Sequence, residues 1–145
     1  MTPTLIGRIQ TRIFLLLVVG VPWTFVVTPF LPRYRDVGTL AGLYATTFTA
    51  VFLVGMLGCV FWEPLYHLLQ QFRWEKDWPT LFGLITVVPE AVLLWAVLPS
   101  FADSPANGWT FLFHFVSLWV LMWLVAIGPI KVFLLRYRFR GGRIL

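Results

Sequence analysis

The chain has 145 residues, of which 59% are hydrophobic and 18% aromatic, and its formal net charge is +5. Soluble domains are only about half apolar, so this composition excludes an ordinary soluble fold and indicates a membrane protein. The single cysteine, Cys59, excludes an internal disulfide and any paired-cysteine redox or metal site.

Four apolar runs are each long enough to cross a bilayer, whose hydrocarbon core takes about 20 helical residues to span. Because lipid offers the backbone no hydrogen-bond partner, each run should form a helix. The sequence therefore predicts an all-α, polytopic integral membrane protein. We expect a four-transmembrane-helix bundle forming one membrane domain over residues 1–145, with spans at about 13–32, 37–61, 80–99 and 109–135.

The basic residues predict the orientation of these spans. Of the 11 Lys and Arg residues, all but Arg33 and Arg35 lie at the termini or between spans two and three. Basic residues accumulate on the cytoplasmic side of membrane proteins. We therefore expect a multi-pass protein with both termini in the cytoplasm, a pattern compatible with the bacterial inner membrane.

The link between spans two and three predicts a short amphipathic helix at about 65–77, lying in the cytoplasmic interface. Pro64 suits the first turn of a helix, and the apolar residues after it recur at helical spacing on one face. The segment is either a docking surface or a plain interfacial connector. As a docking surface it would bind a partner through Leu65, Leu68, Leu69, Phe72, Arg73 and Trp74.

The cytoplasmic tail, residues 136–145, combines arginines with aromatic residues directly after the last span. Each basic residue at this position attracts anionic lipid headgroups by about 1 kcal/mol. We expect the tail to fix the topology and to contact anionic lipid or an acidic partner surface. It is too short to form a nucleic-acid-binding module. The residues concerned are Arg136, Arg138, Arg140 and Arg143.

Glu90 lies near the middle of span three, where a charged side chain costs about 2.5 to 3.5 kcal/mol on insertion scales. It should therefore be either protonated or paired inside a bundle or interface. His114 of span four is predicted at a similar depth and could pair with it. We expect an intramembrane polar cluster, serving either proton or ion coupling or structural contact, formed by Glu90, His114, Tyr44, Thr46, Thr47 and Thr49.

Span two also carries small residues at spacings of three and four, a pattern that lets membrane helices approach closely. The predicted helix-packing residues are Gly38, Gly42 and Ala45. This pattern makes span two the expected central helix, with Glu90 turned towards it.

No catalytic motif is present, and the pair Glu63 and His67 lacks a third ligand, so we predict no catalytic residue, metal site or cofactor. The expected function is a non-catalytic accessory, anchoring or assembly subunit that binds other integral membrane subunits. The main alternative is a small oligomeric transporter or channel subunit in which Glu90 couples protons or ions. A third possibility is a membrane enzyme for lipid or quinone that uses Glu63, His67 and Arg73.

Overall fold

The computed structural model of the protein describes residues 4–32, 39–72, 80–102, 107–134 and 143–144. Throughout these ranges the regular structure is helical, and four helices are long and apolar enough to cross a membrane. The predicted all-helical chain with four helices of spanning length is therefore confirmed. These helices are α1 (Leu5–Phe30), α2 (Leu40–Gln71), α3 (Leu81–Ser100) and α4 (Gly108–Phe133).

Helix α1 begins earlier than the apolar run suggests. The Thr4 side chain accepts a hydrogen bond from Gly7 N at 3.1 Å and so satisfies one of the free N–H groups of the first turn. This cap starts the helix at Leu5, ahead of the predicted start at residue 13. Arg8 and Arg12 are consequently helical residues of α1 and do not precede it.

Helices α1 and α2 each contain one π-helical turn. In α1 the segments are Leu5–Leu15, the π-helix Leu16–Gly20, Val21–Val27 and the 3₁₀-helix Thr28–Phe30. In α2 they are Leu40–Leu57, the π-helix Gly58–Trp62 and Glu63–Gln71.

Prolines account for these irregular turns. A proline ring collides with the carbonyl group four residues earlier, which an undisturbed α-helix would hold close. That earlier residue is Val18 for Pro22 and Val60 for Pro64, and both lie inside the π segments. The wider π turn is one of the known ways for a helix to continue through such a site.

The last two helices are also interrupted near proline. In α3 a turn at Thr86, three residues before Pro89, separates two helical segments. In α4 a turn at Gly128, directly before Pro129, does the same. In α3 the segments are Thr80–Ile85, which begins one residue before the spanning stretch, Val87–Val97 and the 3₁₀-helix Leu98–Ser100. In α4 they are Gly108–Ile127 and Pro129–Phe133.

The main hydrophobic core lies between the four helices. Its most completely buried members are large side chains from α2, α3 and α4: Leu53, Leu94, Leu98, Phe115 and Leu118. A smaller apolar group, Val27, Leu31 and Leu43, joins the end of α1 to the start of α2.

Glycine brings α1 and α2 close together at one point in particular. A Cβ atom placed on Gly55 would lie 3.2 Å from Leu16 Cδ1, and one placed on Gly58 would overlap the Arg12 side chain. The predicted small-residue face lies elsewhere on α2, where Ala45 is exposed and Gly42 half-buried. Gly38 falls outside the described residues. A packing role for that face towards another chain stays a prediction.

Candidate functional site

Polar side chains from three helices meet in a buried group that we call the ionic cluster. It contains two guanidinium groups, two carboxylates, a phenol and an amide. Its members are Arg8 and Arg12 of α1, Glu63, Tyr66 and Gln70 of α2, and Glu90 of α3.

Arg12 is the centre of the ionic cluster. Its Nη1 and Nη2 each donate to one oxygen of Glu90 at 2.8 Å, which is the two-pronged geometry in which a guanidinium binds a carboxylate best. Its Nε donates to Glu63 Oε1 at 2.7 Å. Only 6% of Arg12 and 4% of Glu90 is exposed, so this contact joins α1 to α2 and α3 inside the protein.

The polar face of Glu63–Gln71 completes the cluster. Glu63, Tyr66 and Gln70 are spaced at i, i+3 and i+7, which places them on one side of a helix, and all three are buried. Arg8 Nε donates to Glu63 Oε2 at 2.9 Å and Arg8 Nη1 to Gln70 Oε1 at 3.3 Å. Tyr66 OH donates to Glu90 Oε1 at 3.2 Å.

The backbone of α2 leaves room for Arg12 because residue 58 is glycine. A Cβ atom at Gly58 would collide with Arg12 Cδ and Nη1. On the side of α4, the Arg12 guanidinium lies 5.4 Å from the centre of the Trp119 ring, within the range of a cation–π contact. Trp119 is itself fixed by a hydrogen bond of 3.0 Å from its Nε1 to Gly83 O of α3.

The charges of the ionic cluster cancel, since two arginines face two glutamates. Both oxygens of each carboxylate bind a guanidinium, so neither glutamate has an oxygen without a cationic partner. Protonation of Glu90 would break a bidentate ion pair and leave a buried guanidinium short of one partner, which is costly in a low-dielectric setting. The ionic cluster is therefore suited to hold α1, α2 and α3 together; we call this contact the clamp.

A second polar group, the hydroxyl cluster, lies at other positions of α1 and α2 and includes one residue of α4. Thr24 Oγ1 and His114 Nε2 are 2.9 Å apart, and Thr28 Oγ1 and Thr47 Oγ1 are 3.1 Å apart. Thr28 Oγ1 also bonds to Thr24 O at 2.6 Å and Thr47 Oγ1 to Leu43 O at 3.0 Å. The hydroxyl cluster consists of Thr24, Thr28, Thr47 and His114, and it joins α1 to α2 and α4.

An apolar layer separates the two clusters. On α2 the fully buried Leu53 lies between Thr47 and Glu63, and on α1 the buried Leu15 and Leu16 lie between the two clusters in the same way. None of the hydrogen bonds described above crosses this layer. The two clusters are accordingly separate contacts between helices.

The structure divides the polar cluster that the sequence predicts. Glu90 binds Arg12 and Tyr66, whereas His114 binds Thr24, so the expected approach of Glu90 to His114 does not occur. The physical reason is that Arg12 lies inside α1 and offers Glu90 a charge-balancing partner. Glu90 is paired within the bundle, which is one of the two states expected for it. Its bidentate ion pair is made with Arg12 of α1 and not with a residue of α2.

The other predicted members of the intramembrane cluster stay on or near α2. Tyr44 OH donates to Phe25 O at 3.0 Å, and Thr46 Oγ1 donates to Gly42 O of its own helix at 3.1 Å. Thr47 belongs to the hydroxyl cluster, and Thr49 is half-buried. None of these four residues contacts Glu90 through the hydrogen bonds described here.

The predicted partner-binding residues are outward-facing where the structure describes them. Leu68, Leu69 and Phe72 are 51%, 48% and 82% exposed, and Leu65 is half-buried. Arg143 is exposed, and its neighbour Ile144 donates through its backbone N to Gln10 Oε1 at 3.1 Å. The remaining predicted contacts lie outside the described residues: Arg73, Trp74, Arg136, Arg138 and Arg140.

Sequence reasoning did not find the ionic cluster as a unit. It treated Arg8 and Arg12 as topology signals before the first span, although the Thr4 cap was visible and the two arginines are one helical turn apart. The i, i+3, i+7 pattern of Glu63, Tyr66 and Gln70 was the available signal for a buried polar face.

Comparisons of the chain with protein-family models, with curated proteins and with solved structures gave no match. The function must therefore be inferred from the geometry of the chain's own residues.

Proposed function

We propose that the protein is a non-catalytic accessory, anchoring or assembly subunit of a larger membrane protein complex. The observation that supports this most directly is the bidentate pairing of Glu90 with Arg12. A carboxylate that couples ions must exchange partners during its cycle, whereas this one is held by a fixed cation and a phenol. The intramembrane acid then serves to join helices.

The outer surface of Glu63–Gln71 supports a docking role for the neighbouring apolar side chains. Its polar face is used internally by the ionic cluster, so Leu68 and Leu69 point away from the bundle. Helix α2 has 32 residues, which at a 1.5 Å rise is about 48 Å against a hydrocarbon core of about 30 Å. We place Glu63–Gln71 in the cytoplasmic headgroup region, where a partner subunit can reach it.

The proposed topology has both termini in the cytoplasm of a bacterium, with the chain in the inner membrane. This follows from the distribution of Lys and Arg, which leaves only Arg33 and Arg35 on the opposite side. In this orientation the basic tail meets anionic lipid headgroups, and the outward face of Glu63–Gln71 meets partner subunits from the same side.

Co-purification tests the proposal. The protein is extracted from its native membrane in mild detergent, separated by native electrophoresis and analysed by mass spectrometry. We expect larger membrane proteins in fixed stoichiometry with it. Replacing Leu68, Leu69 and Phe72 together by alanine should release the protein from this complex without changing its own helical content.

A matched control removes three other exposed apolar side chains, from the opposite part of the bundle. Leu112, Phe113 and Val116 of α4 are 47%, 58% and 38% exposed, and their triple alanine variant should stay in the complex. If the wild-type protein migrates alone as a small homo-oligomer, and Glu90→Gln abolishes ion flux in proteoliposomes, the proposal is wrong and the protein is a transporter.

A further inference from the structure

A groove of about 150 Å³ opens beside the ionic cluster, lined by residues of α1, α3 and α4 and by Glu63 of α2. Thr11, Arg12 and Glu63 supply its polar lining, which we call the polar end, and its walls include the indoles of Trp119 and Trp123, together with Met122 and Gly83. The groove therefore combines flat aromatic walls with one hydrogen-bonding end.

The volume of the groove limits the size of the chemical group that it can hold. A protein cavity of about 150 Å³ with apolar walls holds one benzene-sized ring. Two indole walls also favour a flat ring, since aromatic groups gain from stacked or edge contacts with one another.

The charge of the groove selects against an ionic ligand. The two arginines and two glutamates of the adjoining cluster already cancel. A charged ligand would introduce an uncompensated charge at a place where charge is costly. A neutral ring bearing a carbonyl or hydroxyl oxygen can hydrogen-bond at the polar end without this penalty.

The position of the groove determines how a ligand reaches it. The lining residues of α1, α3 and α4 all lie within the helices that are long and apolar enough to cross a membrane. A ligand that enters there arrives through the lipid phase, so it must be soluble in the membrane.

We propose that this groove binds the uncharged ring of a membrane-soluble amphiphile of the quinone or quinol class. The ring lies between Trp119 and Trp123, its oxygen faces Arg12 and Glu63, and any apolar tail extends past Met122 into lipid. The proposal concerns binding alone and goes beyond the accessory role proposed above.

Photoaffinity labelling tests this inference. The detergent-purified protein is irradiated with an azido-benzoquinone, digested and mapped by mass spectrometry. The label should concentrate on α4 around Met122 and Trp123. Excess unlabelled tetramethyl-benzoquinone should suppress the labelling, whereas a long-chain fatty alcohol at equal concentration should not.

Two variants of α3 form a matched pair. Val88→Leu adds bulk at a position that is 61% exposed and outside the groove lining, so it should label within about twofold of wild type. Gly83→Leu extends into the groove and should raise the half-saturating concentration by about tenfold or more. Ala126→Phe fills the groove from α4 and replaces Gly83→Leu if that variant does not fold.

Three results would overturn the inference. The first is label spread over lipid-facing positions without competition by the unlabelled quinone. The second is equal competition by the fatty alcohol, which would identify an acyl-chain groove. The third is unchanged labelling in a folded Gly83→Leu or Ala126→Phe variant.

Discussion

The ionic cluster and the hydroxyl cluster both join α1 to α2 inside the bundle, but they satisfy their polar groups in opposite ways. In the ionic cluster, each arginine depends on a carboxylate of another helix, more than 50 positions away in sequence. In the hydroxyl cluster, the Thr28 and Thr47 hydroxyls lie 3.1 Å apart, and each can instead donate its one proton to a carbonyl of its own helix.

This difference predicts how each cluster responds to mutation. A threonine that loses its partner across the bundle keeps its bond within the helix, so little energy is lost. An arginine or glutamate that loses its partner becomes an uncompensated buried charge. Contacts between charges should therefore dominate the stability of the helix arrangement, although the two clusters are similarly buried.

The largest effect is expected from Arg12→Met. The substitution leaves Glu90 buried without its cation, and breaking such a pair costs about 3 to 5 kcal/mol. Equilibrium unfolding in mixed micelles with increasing denaturing detergent measures the change in the free energy of unfolding.

The double variant Arg12→Met with Glu90→Met provides the control, because an ion pair replaced by apolar groups of similar volume is often close to neutral. It should recover most of the lost stability. If the double variant is as unstable as the sum of the two single variants, the pair is not coupled and the clamp does not exist.

Gly58→Ala should be the next most disruptive change. The added methyl group would overlap Arg12 Cδ and Nη1, and overpacking of this kind costs about 1 to 3 kcal/mol. Gly55→Ala is the matched control three residues away, where the new methyl group would meet only the flexible end of Leu16. Equal losses of thermal stability in the two variants would argue against a specific passage for Arg12 at Gly58.

Tyr66→Phe should have a moderate effect. It removes the hydrogen bond to Glu90 Oε1 but leaves the bidentate contact from Arg12, so the expected loss is about 0.5 to 1.5 kcal/mol. Unfolding measurements in the Arg12→Met background sharpen the interpretation. Tyr66 should matter more there, since the phenol is then the remaining donor to Glu90 within the described cluster.

Thr47→Val should have the smallest effect. Hydrogen bonds between membrane helices contribute about 0.6 kcal/mol on average, and Thr28 retains its bond to Thr24 O. The same unfolding assay should detect a change near its resolution limit. A loss as large as that of Arg12→Met would contradict the distinction between the two clusters.

The helices were largely predictable because their signal is local. A run of apolar residues of sufficient length must be helical in lipid whatever its neighbours are, and four such runs predict four helices. The prolines that interrupt them are equally visible. The predicted start of α1 was too late because the prediction began the helix at the edge of the apolar run. The Thr4 cap extends the helix further towards the N-terminus, into polar sequence.

The ionic cluster was not predictable in the same way because it depends on distant residues. The sequence marks Glu90 as costly and therefore in need of a partner, but Arg12 and His114 both lie on other helices. Choosing between them requires the rotation of α1 about its axis, which no local pattern supplies. The roles of Trp119 and Gly58 beside Arg12 can be assigned only once that rotation is known.

The π-helical turns have a consequence for that rotation. At 100° per residue, Arg12 and Thr24 would lie about 120° apart around an undisturbed α-helix. A π turn holds one residue more, which brings them to within about 20°. For Thr47 and Glu63, the π turn of α2 changes the angle between the two residues around the helix axis from about 160° to about 60°. Deleting one outward-facing residue such as Val18, which is 55% exposed, would remove this correction and turn Arg12 away from the centre of the bundle. The number of residues in α1, and not only their chemical type, therefore determines which side chains are buried.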